Sequence, residues 1–234
     1  MRIPLTGLAL TALLLTACTG GDDEAEAGPG ELADRLSTAR TQIDDAESLE
    51  MSLATKELPQ GTTGLLSAEG QGNHDPAFEG TVTVVTGGTS LDADVVSVDG
   101  ELYVKTGFSP RFMTFDPDSL GAPDPAGLLD PEEGVSRILE LTEDLSQDGR
   151  SRDGEDVLTT VAGTLPGDVV SSILPTADET GSFSVRYRLT DEDELRDASI
   201  SGPFYEGADD VTYRLSLVAS GDPLEITAPE GAGS

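Results

Sequence analysis

The segment that decides the fold is Gly181–Thr190, "GSFSVRYRLT", close to the C-terminal end of the chain. Apolar and polar residues alternate along it, and its apolar positions are Phe183, Val185, Tyr187 and Leu189. Because successive side chains of a β-strand point to opposite faces, this pattern predicts a strand with one apolar face. Arg186 and Arg188 belong to the other, solvated face. One wet face and one apolar face are typical of an antiparallel sheet that covers a core on one side.

The same alternation recurs along the chain and predicts most of a sheet. The other segments that read as strands are "LEMSLATKEL" (49–58), "AFEGTVTVV" (77–85), "TSLDADVVSV" (89–98), "DGELYVKTG" (99–107), "DVLTTVAGTL" (156–165), "LRDASISGPF" (195–204) and "DDVTYRLSLVA" (209–219). Asp99-Gly100 joins two of them and is a dipeptide that favours a two-residue hairpin turn. We therefore expect an antiparallel sheet that is rich in hairpins.

Apolar residues at helical spacing predict helices that cover this sheet. The predicted helices are residues 31–47, residues 131–146 and the short segment 166–174. The first carries its apolar stripe at Leu32, Leu36, Ala39 and Ile43. The second has Pro131 and acidic residues at its start, as helix N-termini often do. The predicted fold class is α+β, with one antiparallel sheet covered by two or three helices.

The N-terminal segment "MRIPLTGLALTALLLTAC" (1–18) is typical of a secretory signal. Arg2 precedes an apolar run that is too short to span a bilayer stably. The end of the segment, Leu15-Thr16-Ala17-Cys18, resembles the lipobox of bacterial lipoproteins, in which the cysteine thiol receives a diacylglycerol. Cys18 is also the only cysteine among 234 residues. We therefore expect a signal peptide over residues 1–17 and a lipid anchor on Cys18 at the outer face of the cell membrane.

Composition and charge bound the rest of the chain. Residues 18–30 are predicted to be the lipidated cysteine and a flexible acidic tether, 31–228 a single lipid-binding domain, and 229–234 a disordered tail. The formal net charge is -32, which disfavours nucleic acid and anionic membrane surfaces as partners. No basic amphipathic segment is present, so membrane attachment is expected to come from the lipid on Cys18. With that cysteine acylated, the fold has no internal disulfide and relies on its core.

Catalytic and metal-binding motifs are incomplete, so we expect neither an enzyme nor a cofactor. Lys105-Thr106-Gly107 matches the Lys-Thr-Gly triplet of penicillin-binding enzymes, but neither lysine of the chain follows a serine at the required Ser-x-x-Lys spacing. His74, the only histidine, has no Gly-x-Ser-x-Gly motif and no partners for a zinc site. Asp116 and Asp118 have the spacing of calcium ligands, although later positions lack the oxygen ligands of a calcium loop.

The order of these segments resembles the actinobacterial LppX/LprAFG lipoprotein family. The local matches are the "YVK" strand (103–105), "LLDPEEGVSRIL" (128–139) and "VLTTVAGTLPGDVVSSIL" (157–174), within a resemblance that covers roughly residues 31–228. The resemblance implies a LolA/LolB-like half-barrel, in which a curved antiparallel sheet wraps around helices and encloses an apolar cavity. It further implies a lipoprotein that binds the acyl chains of (glyco)lipids and carries or presents them across the cell envelope. The implied ligand is a di- or triacylated lipid or glycolipid, and a membrane exporter is a candidate partner.

We predict the cavity between the concave face of the sheet and the helices, because an aliphatic lining suits flexible acyl chains. The candidate lining residues are Leu49, Met51, Leu53, Val82, Val84, Leu91, Val95, Ile138, Leu141 and Leu145. A slip of one residue would turn the opposite face of a strand inward. Periodicity alone favours a solid core, whereas the family resemblance favours a cavity. A second function therefore stays open, that of a non-transporting envelope module that binds an exported partner or exporter.

Overall fold

The computed structural model describes residues 26–109, 111–115 and 123–230. The signal segment and Cys18 lie outside the described residues, as do Asp116, Asp118 and the last four residues of the predicted tail.

One antiparallel sheet of eleven strands forms the body of the described residues. The strands are β1 (Ser48–Thr55), β2 (Gly64–Asn73), β3 (Ala77–Thr86), β4 (Thr89–Val98), β5 (Glu101–Thr106), β6 (Met113–Phe115), β7 (Glu143–Asp153), β8 (Asp156–Pro166), β9 (Ser182–Leu189), β10 (Leu195–Gly202) and β11 (Val211–Ser220). Their order is β6-β5-β4-β3-β2-β1-β11-β10-β9-β8-β7, so the sheet is open and has β6 and β7 at its edges. Only the β1–β11 pair joins strands that are not consecutive in sequence. The predicted α+β fold with a curved antiparallel sheet around helices is confirmed.

The segment that decided the fold behaves as its pattern predicts. Its apolar residues Phe183, Val185, Tyr187 and Leu189 are all buried along β9. The predicted hairpin turn between β4 and β5 is also confirmed. Asp99 and Gly100 have φ angles of 55° and 75°, the left-handed conformation that a type I′ turn requires at both central residues.

A helical layer covers one face of the sheet. It consists of α1 (Pro29–Asp44), α2 (Gly167–Ile173) and two 3-10 helices, Gly127–Leu129 and Val135–Leu139. The four apolar residues predicted for the first helix are buried along α1. Arg35 of α1 forms an ion pair with Asp193 in the turn between β9 and β10, which holds the helix against the sheet. None of the helices described here has the length and hydrophobicity needed to cross a membrane.

The helix predicted over residues 131–146 is wrong except in its middle, because residues 131–134 form a turn and a bend and β7 begins at Glu143. Helical structure is limited to the 3-10 helix Val135–Leu139, and the chain then enters β7. After the helical segment, the Thr142 hydroxyl donates a hydrogen bond to the Ile138 carbonyl oxygen at 2.6 Å. Asp144 has a φ of 53°, which no α-helix tolerates. Pairing of β7 with β8 therefore overrides the apolar spacing on which the prediction rested.

Strand β2 carries no regular apolar alternation, and packing against one aromatic ring explains why. Gly70 pairs with Gly80 of β3, and the fully buried ring of Phe78 lies against both glycines. A Cβ atom on Gly70 would lie 2.4 Å from Phe78 Cζ and 2.3 Å from the Glu79 carbonyl oxygen. One ring thus fills the space that alternating aliphatic side chains fill elsewhere, and the sequence pattern of a strand is lost.

Candidate functional site

The concave face of the sheet is the candidate site, and strand register determines which side chains it presents. Leu53 pairs with Ala68, Ala68 with Val82, and Val82 with Ala93. Residues directly opposite each other on neighbouring strands share a face. Leu53 is buried in the core beneath the helical layer, so the whole row lies on the concave face.

All seven strand residues predicted to line a cavity lie on this concave face. Register connects Met51 with Gly70 and Gly80, and Gly80 with Val95, while Val84 pairs with Leu91. The seven differ in burial: Leu49, Met51, Leu53 and Val95 are buried, Val82 is partly buried against the core, and Val84 and Leu91 are half-buried. Whether these seven side chains line a lipid cavity stays a prediction.

An apolar crevice lies between the helical layer and strands β1, β10 and β11. Its lining residues are Leu53, Val135, Ile138, Val170, Ile173, Leu174, Ile200, Phe204, Tyr213 and Leu215. The enclosed volume is about 20 Å³, so the two layers are nearly in contact. The crevice is a continuous apolar seam between sheet and helices rather than an open chamber.

The structure brings only two of the ten predicted cavity residues, Leu53 and Ile138, to this crevice. The other two residues predicted on the same helix as Ile138 are separated from it. Leu145 lies on β7 and is partly buried against the core, and Leu141 lines a cleft at the surface. Signals for the remaining crevice residues existed: Ile200, Tyr213 and Leu215 alternate in predicted strands, and Val170 lies in the predicted short helix. Phe204 ends the predicted strand 195–204, whereas in the structure it follows β10 in a loop.

Aromatic rings stiffen the sheet side of the crevice. The rings of Phe183, Phe204 and Tyr213 stack edge to face, with centroids 4.9 Å and 4.8 Å apart. The Tyr213 hydroxyl lies 2.7 Å from the Tyr205 hydroxyl and donates a hydrogen bond to the Leu65 carbonyl oxygen. The polar end of Tyr213 is therefore satisfied away from the crevice, and its ring contributes an apolar surface.

A second buried tyrosine ties the helical layer to the sheet. The Tyr187 hydroxyl lies 2.7 Å from Thr142 Oγ1 and donates a hydrogen bond of 3.0 Å to the Ile138 carbonyl oxygen. Burial raises the pKa of Tyr187 above its ordinary value. The pKa of Tyr213 is raised mainly by burial and further by the hydrogen bond with Tyr205. Both phenols stay protonated in the folded protein at pH values where an exposed tyrosine ionises.

Replacing Tyr187 with phenylalanine tests the role of this hydroxyl. We expect the free energy of unfolding at neutral pH to fall by about 1–2 kcal/mol, because one buried hydrogen bond is lost while Thr142 still satisfies the Ile138 carbonyl. Urea unfolding followed by circular dichroism measures the difference. Tyr103→Phe is the matched control: its hydroxyl bonds to the exposed Glu101 carboxylate, so stability should hardly change. Equal losses for both variants would contradict the assigned role.

The pH dependence follows from the same burial. A raised pKa in the folded state gives stability that is complete below the ordinary tyrosine pKa of 10.0 and is lost as the pH rises above it. We therefore expect alkaline unfolding that is less steep in Tyr187→Phe than in the wild-type protein. A parallel alkaline profile for the two proteins would argue against a buried, protonated Tyr187.

A surface cleft adjoins the crevice at Ile173. It has a volume of about 240 Å³ and lies between the 3-10 helix Val135–Leu139 and α2. Its lining residues are Glu133, Gly134, Arg137, Leu141, Asp168, Val169, Ser172 and Ile173. Ile173 is half-buried and lines both the cleft and the crevice. Arg137 is the one basic residue among those that line the cleft.

A larger groove on the outer face is less suited to an apolar ligand. It has a volume of about 420 Å³ and is lined by Glu50, Met51, Ser52, Glu69, Gly70, Gln71, Ser216 and Val218. Two carboxylates and several other polar side chains face this open groove. Acyl chains would gain little there, because the groove is open and would leave most of their own surface in contact with water.

The residues weighed for catalysis or metal binding have structural partners. The ring nitrogens of His74 lie 2.7 Å and 3.0 Å from the carbonyl oxygens of Leu129 and Ile43, so this turn residue connects the end of α1 to a 3-10 helix. Lys105 Nζ lies 3.0 Å from an oxygen of Asp94 on the neighbouring strand. Within the described parts of the chain, no group of three or more His, Cys, Asp or Glu side chains could hold a metal ion.

The sequence matches a family of lipoproteins. The model of the family described as LppX_LprAFG lipoprotein matches residues 31–220. A protein of Mycobacterium bovis (strain BCG / Pasteur 1173P2), described as lipoarabinomannan carrier protein LprG, is 23% identical over 228 residues, which cover 96% of this chain and 93% of that protein. The protein of the same description from Mycolicibacterium smegmatis is 25% identical over 194 residues, covering 80% and 79% of the two chains.

Two solved structures share the fold. LprF from Mycobacterium bovis superposes with a TM-score of 0.69 at 16% identity, covering 89% of this chain and all of that one. LppX from Mycobacterium tuberculosis superposes with a TM-score of 0.59 at 13% identity, covering 86% of this chain and all of that one. The open, curved sheet with helices on its concave face is therefore a shared architecture.

Proposed function

Because this chain belongs to the LppX_LprAFG lipoprotein family, we propose that it is a membrane-anchored lipoprotein that holds lipid acyl chains between its concave face and its helical layer. It carries or presents a di- or triacylated lipid or glycolipid across the cell envelope, and a membrane exporter is a candidate partner. The relatives described as lipoarabinomannan carriers support a carrier function. At 23–25% identity, we carry over the class of ligand and leave the head group open.

The observation that carries this proposal is the apolar seam between the two layers. The crevice is lined on one side by α2 and a 3-10 helix and on the other by β1, β10 and β11. All ten lining residues are aliphatic or aromatic, and Tyr213 directs its hydroxyl elsewhere. Such a seam offers acyl chains an apolar surface on both sides once the layers separate.

Burial of an acyl chain supplies the free energy for that separation. Each methylene removed from water contributes about 0.8 kcal/mol, so a sixteen-carbon chain contributes roughly 12 kcal/mol. The bound acyl chain replaces the apolar contacts between the two layers with its own apolar contacts to each layer. Because α2 has only seven residues, the element that has to move is small. The cleft beside Ile173 is the entrance that this geometry favours.

The closed crevice also favours a second candidate, a non-transporting module that binds an exported partner or exporter. A volume of about 20 Å³ is far below the 300 Å³ at which ligand cavities usually begin. On this alternative, the seam is a solid core and the protein contributes only its surface. The two candidates differ in whether the purified protein contains lipid.

Mass spectrometry of an organic extract decides between them. The protein is purified from its own cell envelope, separated from free lipid and extracted, and an unrelated lipoprotein prepared in the same way serves as control. The carrier function predicts diacyl or triacyl species enriched over the control in a fixed ratio to protein. An extract that matches the control would support the non-transporting module.

A further inference from the structure

An exposed aromatic residue marks one end of the sheet. The connection between β5 and β6 (Gly107–Ser109 with Arg111–Phe112), which we call the aromatic tip, presents Phe108 with 89% of its surface exposed. Met113, the first residue of β6, is 47% exposed. Single exposed apolar side chains are common on protein surfaces, whereas several of them in one short segment are typical of a contact with a membrane or another protein.

The sequence around the tip is unlike the rest of the chain. Asp and Glu account for 45 of 234 residues, yet none occurs in the fourteen residues from Leu102 to Phe115. The same segment holds three of the six phenylalanines, together with Lys105 and Arg111. The tip is therefore a local exception to the strong negative charge of the protein.

The topology of the sheet brings both lysines of the chain to the end that carries the tip. Strands β1 to β6 form a meander, so the β1–β2, β3–β4 and β5–β6 connections lie at one end. Both lysines of the chain are found there, Lys56 after β1 and Lys105 at the end of β5. The β3–β4 connection between them is Gly87-Gly88, which is small and uncharged.

Acidic neighbours partly neutralise the two lysines, so Arg111 is the main source of positive charge at the aromatic tip. Lys105 pairs with Asp94 of β4, and its Nζ also lies 5.6 Å from the centroid of the Phe112 ring. Asp92 bonds to Thr83 on the outer face, and Glu57 follows Lys56. Arg111 is exposed and lies three residues from Phe108.

We propose that the aromatic tip docks on the surface of a lipid bilayer that contains anionic lipids. Phe108 enters the boundary between head groups and acyl chains, and Arg111 contacts the lipid phosphates. The net charge of the protein does not oppose this contact strongly, because salt screens charges beyond about 8 Å and the tip itself carries no carboxylate. An aromatic ring flanked by cations is the composition that membrane interfaces favour. The proposal does not depend on whether the crevice binds lipid.

The absence of tryptophan from the chain makes a direct test possible. Phe108→Trp places a single fluorescent reporter on the tip, and Val218→Trp places the same reporter on the outer face of β11, where the native residue is 53% exposed. The full chain is mixed with phosphatidylcholine vesicles that contain phosphatidylglycerol, with or without brominated acyl chains. We expect the emission at position 108 to shift to shorter wavelength and to be quenched by bromine, while position 218 keeps its solvent-exposed spectrum. Both variants carry the same N-terminal segment, so anchoring alone cannot produce a difference.

Charge variants test the electrostatic contribution of the tip to membrane docking. In the Phe108→Trp background, Arg111→Gln should lower the ratio of docked to undocked protein about fivefold, because each basic residue near an anionic surface favours binding by that factor. Arg186→Gln, which removes an exposed arginine from the outer face of β9, is the matched control and should change nothing. Identical spectra at positions 108 and 218 would overturn the proposal. So would a spectral shift that depends on protein density instead of on anionic lipid, since that result would assign the tip to a second copy of the chain.

Discussion

Replacing Cys18 with alanine is expected to move the protein from the membrane fraction to the soluble fraction. The thiol is the only one in the chain and ends the segment that we predict to be a lipoprotein signal, so it is the one available site for a thioether-linked lipid. Two or more acyl chains give stable attachment, whereas weaker contacts are reversible. The aromatic tip belongs to the weaker kind and should not retain the protein through a wash with concentrated salt.

Cell fractionation followed by immunoblotting measures the outcome. Thr19→Ala is the matched control, because it changes the neighbouring residue and leaves the thiol in place. The folded domain should be unaffected in both variants, with the same melting temperature as the wild-type protein. Retention of Cys18→Ala in the membrane fraction after the salt wash would contradict a lipid anchor at this residue.

Replacing Ile173 with tryptophan is expected to reduce bound lipid several-fold. Ile173 stands between the surface cleft and the apolar crevice, so a larger ring there closes the entrance that we propose for acyl chains. The cost in stability should be about 1 kcal/mol or less, below the usual cost of overpacking, because the ring can turn into the cleft of about 240 Å³. A large loss of lipid with a small loss of stability distinguishes a blocked entrance from a damaged core.

Val169→Trp provides the control for this experiment. Val169 lies on the same helix and lines the cleft, but it does not line the crevice. The measured quantity is the molar ratio of lipid to protein after purification, together with the free energy of unfolding of each variant. An equal loss of lipid in both variants, or no loss in either, would contradict the proposal that acyl chains enter beside Ile173.

Local patterns predicted the parts of this fold that local physics determines. Each of two patterns, the alternation in β9 and the apolar stripe of α1, lies within a dozen residues, and both segments fold as predicted. The Asp99-Gly100 turn needs only a left-handed backbone at two positions. Burial of apolar residues decides the orientation of a one-sided sheet, and Leu49, Met51 and Leu53 of β1 are accordingly buried together on one face.

Contacts between distant segments account for what sequence reasoning missed. The crevice exists because Leu53 of β1 pairs with Leu215 of β11, and no local pattern encodes the pairing of the first strand with the last. The first residues of β7 are predicted as the end of a helix because the apolar residues before and within them have helical spacing, whereas pairing with β8 decides their conformation. β2 was missed because Gly70 makes room for a ring on the next strand.

Photo-crosslinking with a lipid that carries a diazirine on its acyl chain tests the central claim most directly. The lipid is loaded onto the purified protein, irradiated, and the adducts are mapped by mass spectrometry. We predict adducts on crevice residues of α2 and the neighbouring 3-10 helix, such as Val170, Leu174 and Ile138. Adducts confined to outer-face residues such as Glu50 and Val218, or no adducts above those on an unrelated protein, would contradict binding of acyl chains between the sheet and the helical layer.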